Sequence, residues 1–263
     1  MATQKILLET IDGIRLIKLN DPDSLNPMTL EMSKEFLAAI TQIEHEPNVR
    51  GVIITGSGRA FSAGGDIKAM QERTRTPAYR IRETGRQFYE NFLSIRKVAV
   101  PTIAAVNGHA VGAGAGLALA CDLRLCADGA KFGFPFVKLG LYPGMGATYF
   151  LPRFVGAARA FELLTTCDLI PAAEAERIGL VNRVVPAAQL LPEALRLAQK
   201  IASMPLGVIK MVKEAIYLHP ATDLDAAIER ESSNQALTFT TEDIKEGIAA
   251  VLEKRPPQFR NKV

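Results

Sequence analysis

The chain has 263 residues, 48% of them hydrophobic and 22% charged, with a formal net charge of +3 at pH 7. That length suits one large α/β domain with an appendage, and the absence of a dense Lys/Arg run argues against a nucleic-acid groove while leaving a phosphate-bearing small ligand compatible. Cys121, Cys126 and Cys167 form no CxxC pair or zinc spacing, and the apolar stretch around 98–121 is broken by Pro101, Asn107 and His109, so neither a metal, a disulfide framework nor a membrane span is expected. With no targeting segment recognisable, a reduced, cytoplasmic protein is the expectation.

In chain order, KILLETIDGIRLIKLN alternates about Asp12-Gly13 and predicts a β-hairpin. DPDSLNPMT supplies turn residues and an N-cap, Thr29, for a helix that places Leu30, Phe36, Leu37, Ile40 and Ile43 near one face. VRGVIITG reads as a buried strand, GRAFSAGGDIKAM as a loop entering a short helix, and residues 77–96 as an amphipathic helix. VPTIAAVNG is another buried strand, followed by a helix over GAGAGLALA, a strand over DLRLCA, and an irregular segment, KFGFPFVKLGLYPGMG. Helices resume as VGAARAFELLTT and PAAEAERIGL around one further strand, VNRVV, and from Pro192 onward the pattern is helical only. Strand–helix alternation indicates stacked β/α units in a core over residues 1–191. The helical region over 192–263 is expected to pack on that core or on a neighbouring subunit.

The run GHAVGAGAGLALACD raises the first functional question. A dinucleotide fingerprint needs glycine where Leu117 stands, and a P-loop needs a following Gly-Lys-Ser/Thr; both are rejected. What remains is a strand delivering a glycine-rich helix N-terminus, suited to an anion or, equally on this run alone, to close helix packing. A second small-residue loop, AFSAGGDI, also follows a buried strand and opens a helix. Two such loops can each present one backbone N–H to a single oxygen, which is how an oxyanion hole is built without side chains.

GRAFSAGGDIKAM, PTIAAVNGHAVGAGAGLALACDLRLCADGAKFG, KLGLYPGMGATYFLPRFVGAARAFELLTT, AERIGLVNRVV and VLEKRPPQF together resemble the enoyl-CoA hydratase/isomerase (crotonase) family over nearly the whole chain. The resemblance implies an α/β, crotonase-like (ClpP/crotonase) spiral of ββα units with a C-terminal helical region that builds trimers or dimers of trimers. It implies an acyl-CoA substrate and no separate cofactor; RNA binding, known for some relatives, finds no basic patch here to support it, so neither nucleic acid nor a membrane is expected as a partner. By position, the oxyanion donors fall on the N–H groups of Gly65 and Ala113. CoA contacts fall on Arg59, on Ala63, Asp66, Ile67 and Lys68, and on Lys254, the last reaching a neighbouring subunit's ligand.

The chain departs from the family where the acid–base chemistry sits. The two hydratase glutamates correspond to Gly116 and Phe136, and the aspartate of some isomerases to Gly144; none is acidic here. The retained loops and missing carboxylates favour chemistry that needs an enolate but little proton abstraction, such as decarboxylation, C–C cleavage or an unusual isomerisation. A silent acyl-CoA-binding subunit is the rival reading. Tyr142 is the first substitute acid–base candidate. Tyr89 or Glu90 is another, at most one of which can face inward, with Glu90 by default a surface residue, while His109, Asp122 and Cys121 read as structural, as does Asp66 near its helix start.

Overall fold

A computed structural model describes residues 4–218 and 223–260. The chain opens with the hairpin that alternation predicts. Strands β1 (Ile6–Ile11) and β2 (Ile14–Leu19) pair antiparallel with Ile11 opposite Ile14, and Asp12 and Gly13 turn at φ 49° and 77°. Positive φ at both central residues matches the right-handed strand twist. After β3 (Pro27–Met28), helix α1 (Leu30–His45) starts where Thr29 accepts the Met32 N–H at 3.1 Å, the expected cap.

Three similar passages follow. The first runs through β4 (Gly51–Gly56), β5 (Ala60–Ser62) and the short β6 (Gly64–Gly65) into α2 (Ile67–Arg73) and α3 (Ala78–Leu93). The second is β7 (Thr102–Val106), β8 (His109–Val111) and α4 (Ala113–Ala120). The third is β9 (Leu123–Ala127), β10 (Lys131–Gly133), α5 (Ala147–Val155) and α6 (Ala157–Thr166). The first strand of each passage joins a six-stranded sheet ordered β1-β2-β4-β7-β9-β12, with β12 at Arg183–Val185. The second joins a four-stranded sheet ordered β11-β10-β8-β5, with β11 at Ile170–Pro171 and followed by α7 (Ala172–Arg177). This is a ββα spiral, as the resemblance implies.

Both faces of the large sheet are covered, which is why its strands read as unbroken apolar runs. Ile17, Val52, Ile54, Ala104 and Val106 face the main core with Phe36 and Phe92, whose ring centroids are 5.3 Å apart. Their alternates, Leu16, Ile53, Ile103, Ala105 and Leu125, face α8 (Leu190–Ala202) through Leu190, Ala194 and Ala198. A boundary at residue 191/192 therefore falls inside a helix that covers the sheet. Helices α9 (Leu206–Leu218), α10 (Leu224–Thr238) and α11 (Glu242–Glu253) complete the C-terminal region. The α9 residue Lys213 donates to Asp122 Oδ2 at 2.8 Å and to the Val100 carbonyl at 2.9 Å, tying α9 to the core. Asp122 also accepts from the Thr102 N–H and hydroxyl at 2.7 and 2.9 Å, a structural junction between α4 and β9. Among the described residues no helix is long and apolar enough to cross a membrane.

Candidate active site

The topology brings the two glycine-rich loops to one place. Strands β5 and β8 run parallel and adjacent, with Ala60 beside His109 and Ser62 beside Ala110, so the loops that leave them emerge at the same end. Gly64, at φ 88°, lies so close that a Cβ there would stand 2.5 Å from the Val111 carbonyl oxygen and 3.4 Å from the Ala113 nitrogen. Gly112 takes φ 53° and ψ −116°, a conformation open to glycine, and turns β8 into α4. Every residue of α4 is buried, and no side chain caps its N-terminus. The first N–H groups of a helix have no partner within it, so the Ala113 N–H and the positive end of the helix lie close to Gly64 as an unused donor.

Two asparagines hold this arrangement. Asn26, at φ 54°, donates to the carbonyls of Ser57, Ala60 and Phe61 at 2.9, 2.8 and 3.3 Å, and its side-chain oxygen accepts from the Asp21 N–H at 2.8 Å. Asn107 accepts from the Gly56 N–H at 3.0 Å and donates to the Gly58 carbonyl at 2.9 Å. Ser62 adds a third tie: its hydroxyl donates to the Asn26 carbonyl at 2.7 Å and accepts from the Gly64 N–H at 3.1 Å. Nothing in the sequence singles out these groups beyond the turn signal of Asn26-Pro27.

Around the loops the expected CoA-contacting positions divide. Ala63, Ile67 and Lys68 are exposed along the chain on either side of Gly64–Gly65, and Arg59 is exposed where its backbone approaches Gly108. The Asp66 carboxylate caps α2, accepting from the N–H groups of Lys68 and Ala69 at 2.8 and 3.3 Å. Lys254 is the exposed C-cap of α11 at φ 53°, and its ammonium pairs with no carboxylate among the described residues. Met70, from α2, reaches back so that its methyl lies 2.3 Å from where a Cβ on Gly65 would be.

The positions without carboxylates are apolar and closely packed. At Gly116 a Cβ would meet the Met145 Cβ at 2.5 Å and its carbonyl oxygen at 2.7 Å. The tip of the half-buried Phe136 ring approaches Gly112, 3.9 Å from its would-be Cβ. A Cβ on Gly144 would meet the Tyr89 hydroxyl at 2.5 Å. Tyr142, the leading acid–base candidate from the sequence, is 82% exposed and is not brought into the site. The loop turns inward only after Pro143, where Gly144 lets its backbone approach α3. Tyr89 is the member of its pair that faces the loop; Glu90 points outward to Arg86 at 2.6 Å. His109 is exposed, and Cys121 is buried in the core, its thiol pushed up to about 12 chiefly by burial.

The family model for enoyl-CoA hydratase/isomerase matches residues 9–262. The chain belongs to the enoyl-CoA hydratase/isomerase family. It is 42% identical to a crotonyl-CoA hydratase of Syntrophomonas wolfei and 37% identical to a short-chain-enoyl-CoA hydratase of Clostridium acetobutylicum, covering all of both chains in each case. A crystal structure of an enoyl-CoA hydratase from Bacillus anthracis superposes with a TM-score of 0.91 at 36% identity, covering 98% of this chain and 100% of that one. The protein is accordingly an enzyme of this family. Among the described residues no group of three His, Cys, Asp or Glu side chains could hold a metal ion.

Proposed function

We propose that this enzyme binds an acyl-CoA thioester with its carbonyl oxygen between the N–H groups of Gly65 and Ala113, and that it works by stabilising the enolate formed there. The observation that carries the reading is the approach of Gly64 to the Ala113 nitrogen, which puts the two donor loops side by side. As electron density moves from Cα into the C–O bond, two preorganised N–H groups stabilise the growing charge, each donor contributing about 10²–10³ in rate. The exposed Arg59 and Lys68 suit the CoA phosphates, and Lys254 would serve a neighbouring subunit of a trimer or dimer of trimers. The apolar residues exposed on α9–α11, among them Val212, Ile216, Val251 and Leu252, are consistent with such an assembly.

The second half of the proposal concerns what the enzyme does with the enolate. The names of its relatives favour hydration. The residues argue for a different step, because Gly116, Phe136 and Gly144 offer no carboxylate, and each positioned acid or base is worth roughly 10²–10⁴. Loss of CO₂ from a carboxylate on Cα leaves the electron pair of the broken bond in the enolate without a protein base, whereas cleavage at a β-carbonyl carbon first needs hydroxide to add there, so that the acyl fragment departs as a carboxylic acid. Water can then protonate Cα. Incubation with enoyl-, malonyl- and β-keto-CoA thioesters in D₂O, read by mass spectrometry, tests this. Release of a Cα-deuterated cleavage product from the malonyl- or β-keto-CoA thioester above an enzyme-free control, with the enoyl-CoA thioester not hydrated, is expected. Hydration of the enoyl-CoA thioester at an ordinary hydratase rate would overturn the cleavage reading, and binding without turnover across the panel would leave a silent binding subunit instead.

A further inference from the structure

Tyr89 carries a hydroxyl with no hydrogen-bond partner among the described residues, and its position is specific. The phenol oxygen lies against Gly144, where the missing side chain makes room for it. The next residue, Met145, packs against Gly116, one helical turn along α4 from Ala113. Residues i and i+3 share a helix face, so the Gly144–Met145 segment flanks the side of α4 that leads away from the Ala113 N–H. The tyrosine is fixed from behind: its ring meets Phe88 edge-on at 5.8 Å, and Phe88 meets the buried Phe92 at 5.0 Å. With Met70 and Phe136 supplying apolar surface, Met145 buried beneath, Glu90 paired to Arg86 and Tyr142 82% exposed, the Tyr89 hydroxyl is a polar side-chain group that the α3–α4 side offers to a bound acyl chain.

Resting on the thioester reading above, we infer that Tyr89 is a specificity-determining residue: its hydroxyl donates a hydrogen bond to an oxygen carried by the acyl chain beyond the thioester. The substrate class is thus an oxygenated acyl-CoA, bearing a carbonyl or carboxylate, in preference to a plain hydrocarbon chain. A phenol left unpaired by a hydrocarbon ligand loses its water without replacement, which sets the sign of the preference.

The test is calorimetric binding to wild type and Tyr89→Phe of two matched pairs, acetoacetyl-CoA with butyryl-CoA and glutaryl-CoA with valeryl-CoA. Phenylalanine keeps the packing on Phe88, so the variant should melt with the wild type. Wild type should bind at least one oxygenated member about 2- to 12-fold tighter than its partner, the range of one net hydrogen bond. Tyr89→Phe should abolish that preference and leave the hydrocarbon thioester unchanged. No preference in wild type, or the same preference in the variant, overturns the assignment of Tyr89 while the thioester reading stands. Failure of all four thioesters to bind wild type overturns both.

Discussion

Restoring a glutamate at residue 116 should damage this protein rather than convert it into an efficient hydratase. The new Cβ would fall 2.5 Å from the Met145 Cβ and 2.7 Å from a backbone oxygen, inside a helix with no exposed residue. Overpacking of this kind costs about 1–3 kcal/mol, and burying a polar group without a partner adds at least about 2 kcal/mol. A total of roughly 3–5 kcal/mol corresponds to a fall in Tm of about 6–20 °C for a chain of this size. Scanning calorimetry on Gly116→Glu measures the fall, and crotonyl-CoA hydration by the same sample should not rise above wild type. The mechanism is checked by adding Met145→Gly, which removes the colliding side chain at a residue already at φ 53°. The double variant should be less destabilised than the two single variants combined, by about 1 kcal/mol or more. A stable Gly116→Glu that hydrates crotonyl-CoA faster than wild type would refute the claim that Met145 fills this position.

Further outcomes follow from the same geometry. Tyr142→Phe should leave turnover and chemical-denaturation stability within about 0.5 kcal/mol of wild type, since the side chain is 82% exposed. Asn26→Ala removes bonds to three carbonyls and one N–H and places alanine at φ 54°, so urea denaturation should show a loss of about 2–4 kcal/mol. Lys213→Met strands the largely buried Asp122 carboxylate, which keeps its two Thr102 donors; a loss near the lower end of about 3–5 kcal/mol is expected by the same assay. Burial pushes the Cys121 and Cys126 thiols from an ordinary 9.0 up to about 12. Between those values the unfolded chain releases protons that the folded one retains, so both groups make stability fall as pH rises from about 9 toward 12. Titration with a thiol reagent at pH 8 should accordingly modify Cys167 fast and the other two only on unfolding.

Much of the fold was legible because its signals are local. The Asp12-Gly13 hairpin, the Thr29 cap and the helix over GAGAGLALA each depend on residues within one turn of each other, and all are found. The meeting of the two glycine loops was legible only in part: the two buried strands read from the sequence, β4 and β7, do run parallel and adjacent, but the short strands β5 and β8 that carry the loops fall within segments read as a loop and a glycine-rich run, because three residues give too little alternation to show. What could not be read was which side chain faces the acyl side. Tyr142 and Tyr89 differ only in how a loop and a helix are oriented, and that orientation is set by Gly144 admitting the Tyr89 hydroxyl from a residue 55 positions earlier in the chain. The filling of the Gly116 position by Met145 is likewise a long-range packing fact. Helix α8 shows the same limit, since its apolar stripe fits a core or a subunit interface and only the sheet it covers decides between them.

The central claim is that the enolate-stabilising loops are present while the acid–base pair of a hydratase is absent. Initial-rate hydration of crotonyl-CoA by the wild-type enzyme, measured beside a two-glutamate hydratase of the family, tests it most directly. The loss of even one positioned proton-transfer group implies a rate at least about 10²-fold lower. Turnover at the rate of the two-glutamate enzyme would contradict the account, because it would require an acid and a base that Gly116, Phe136 and Gly144 do not supply.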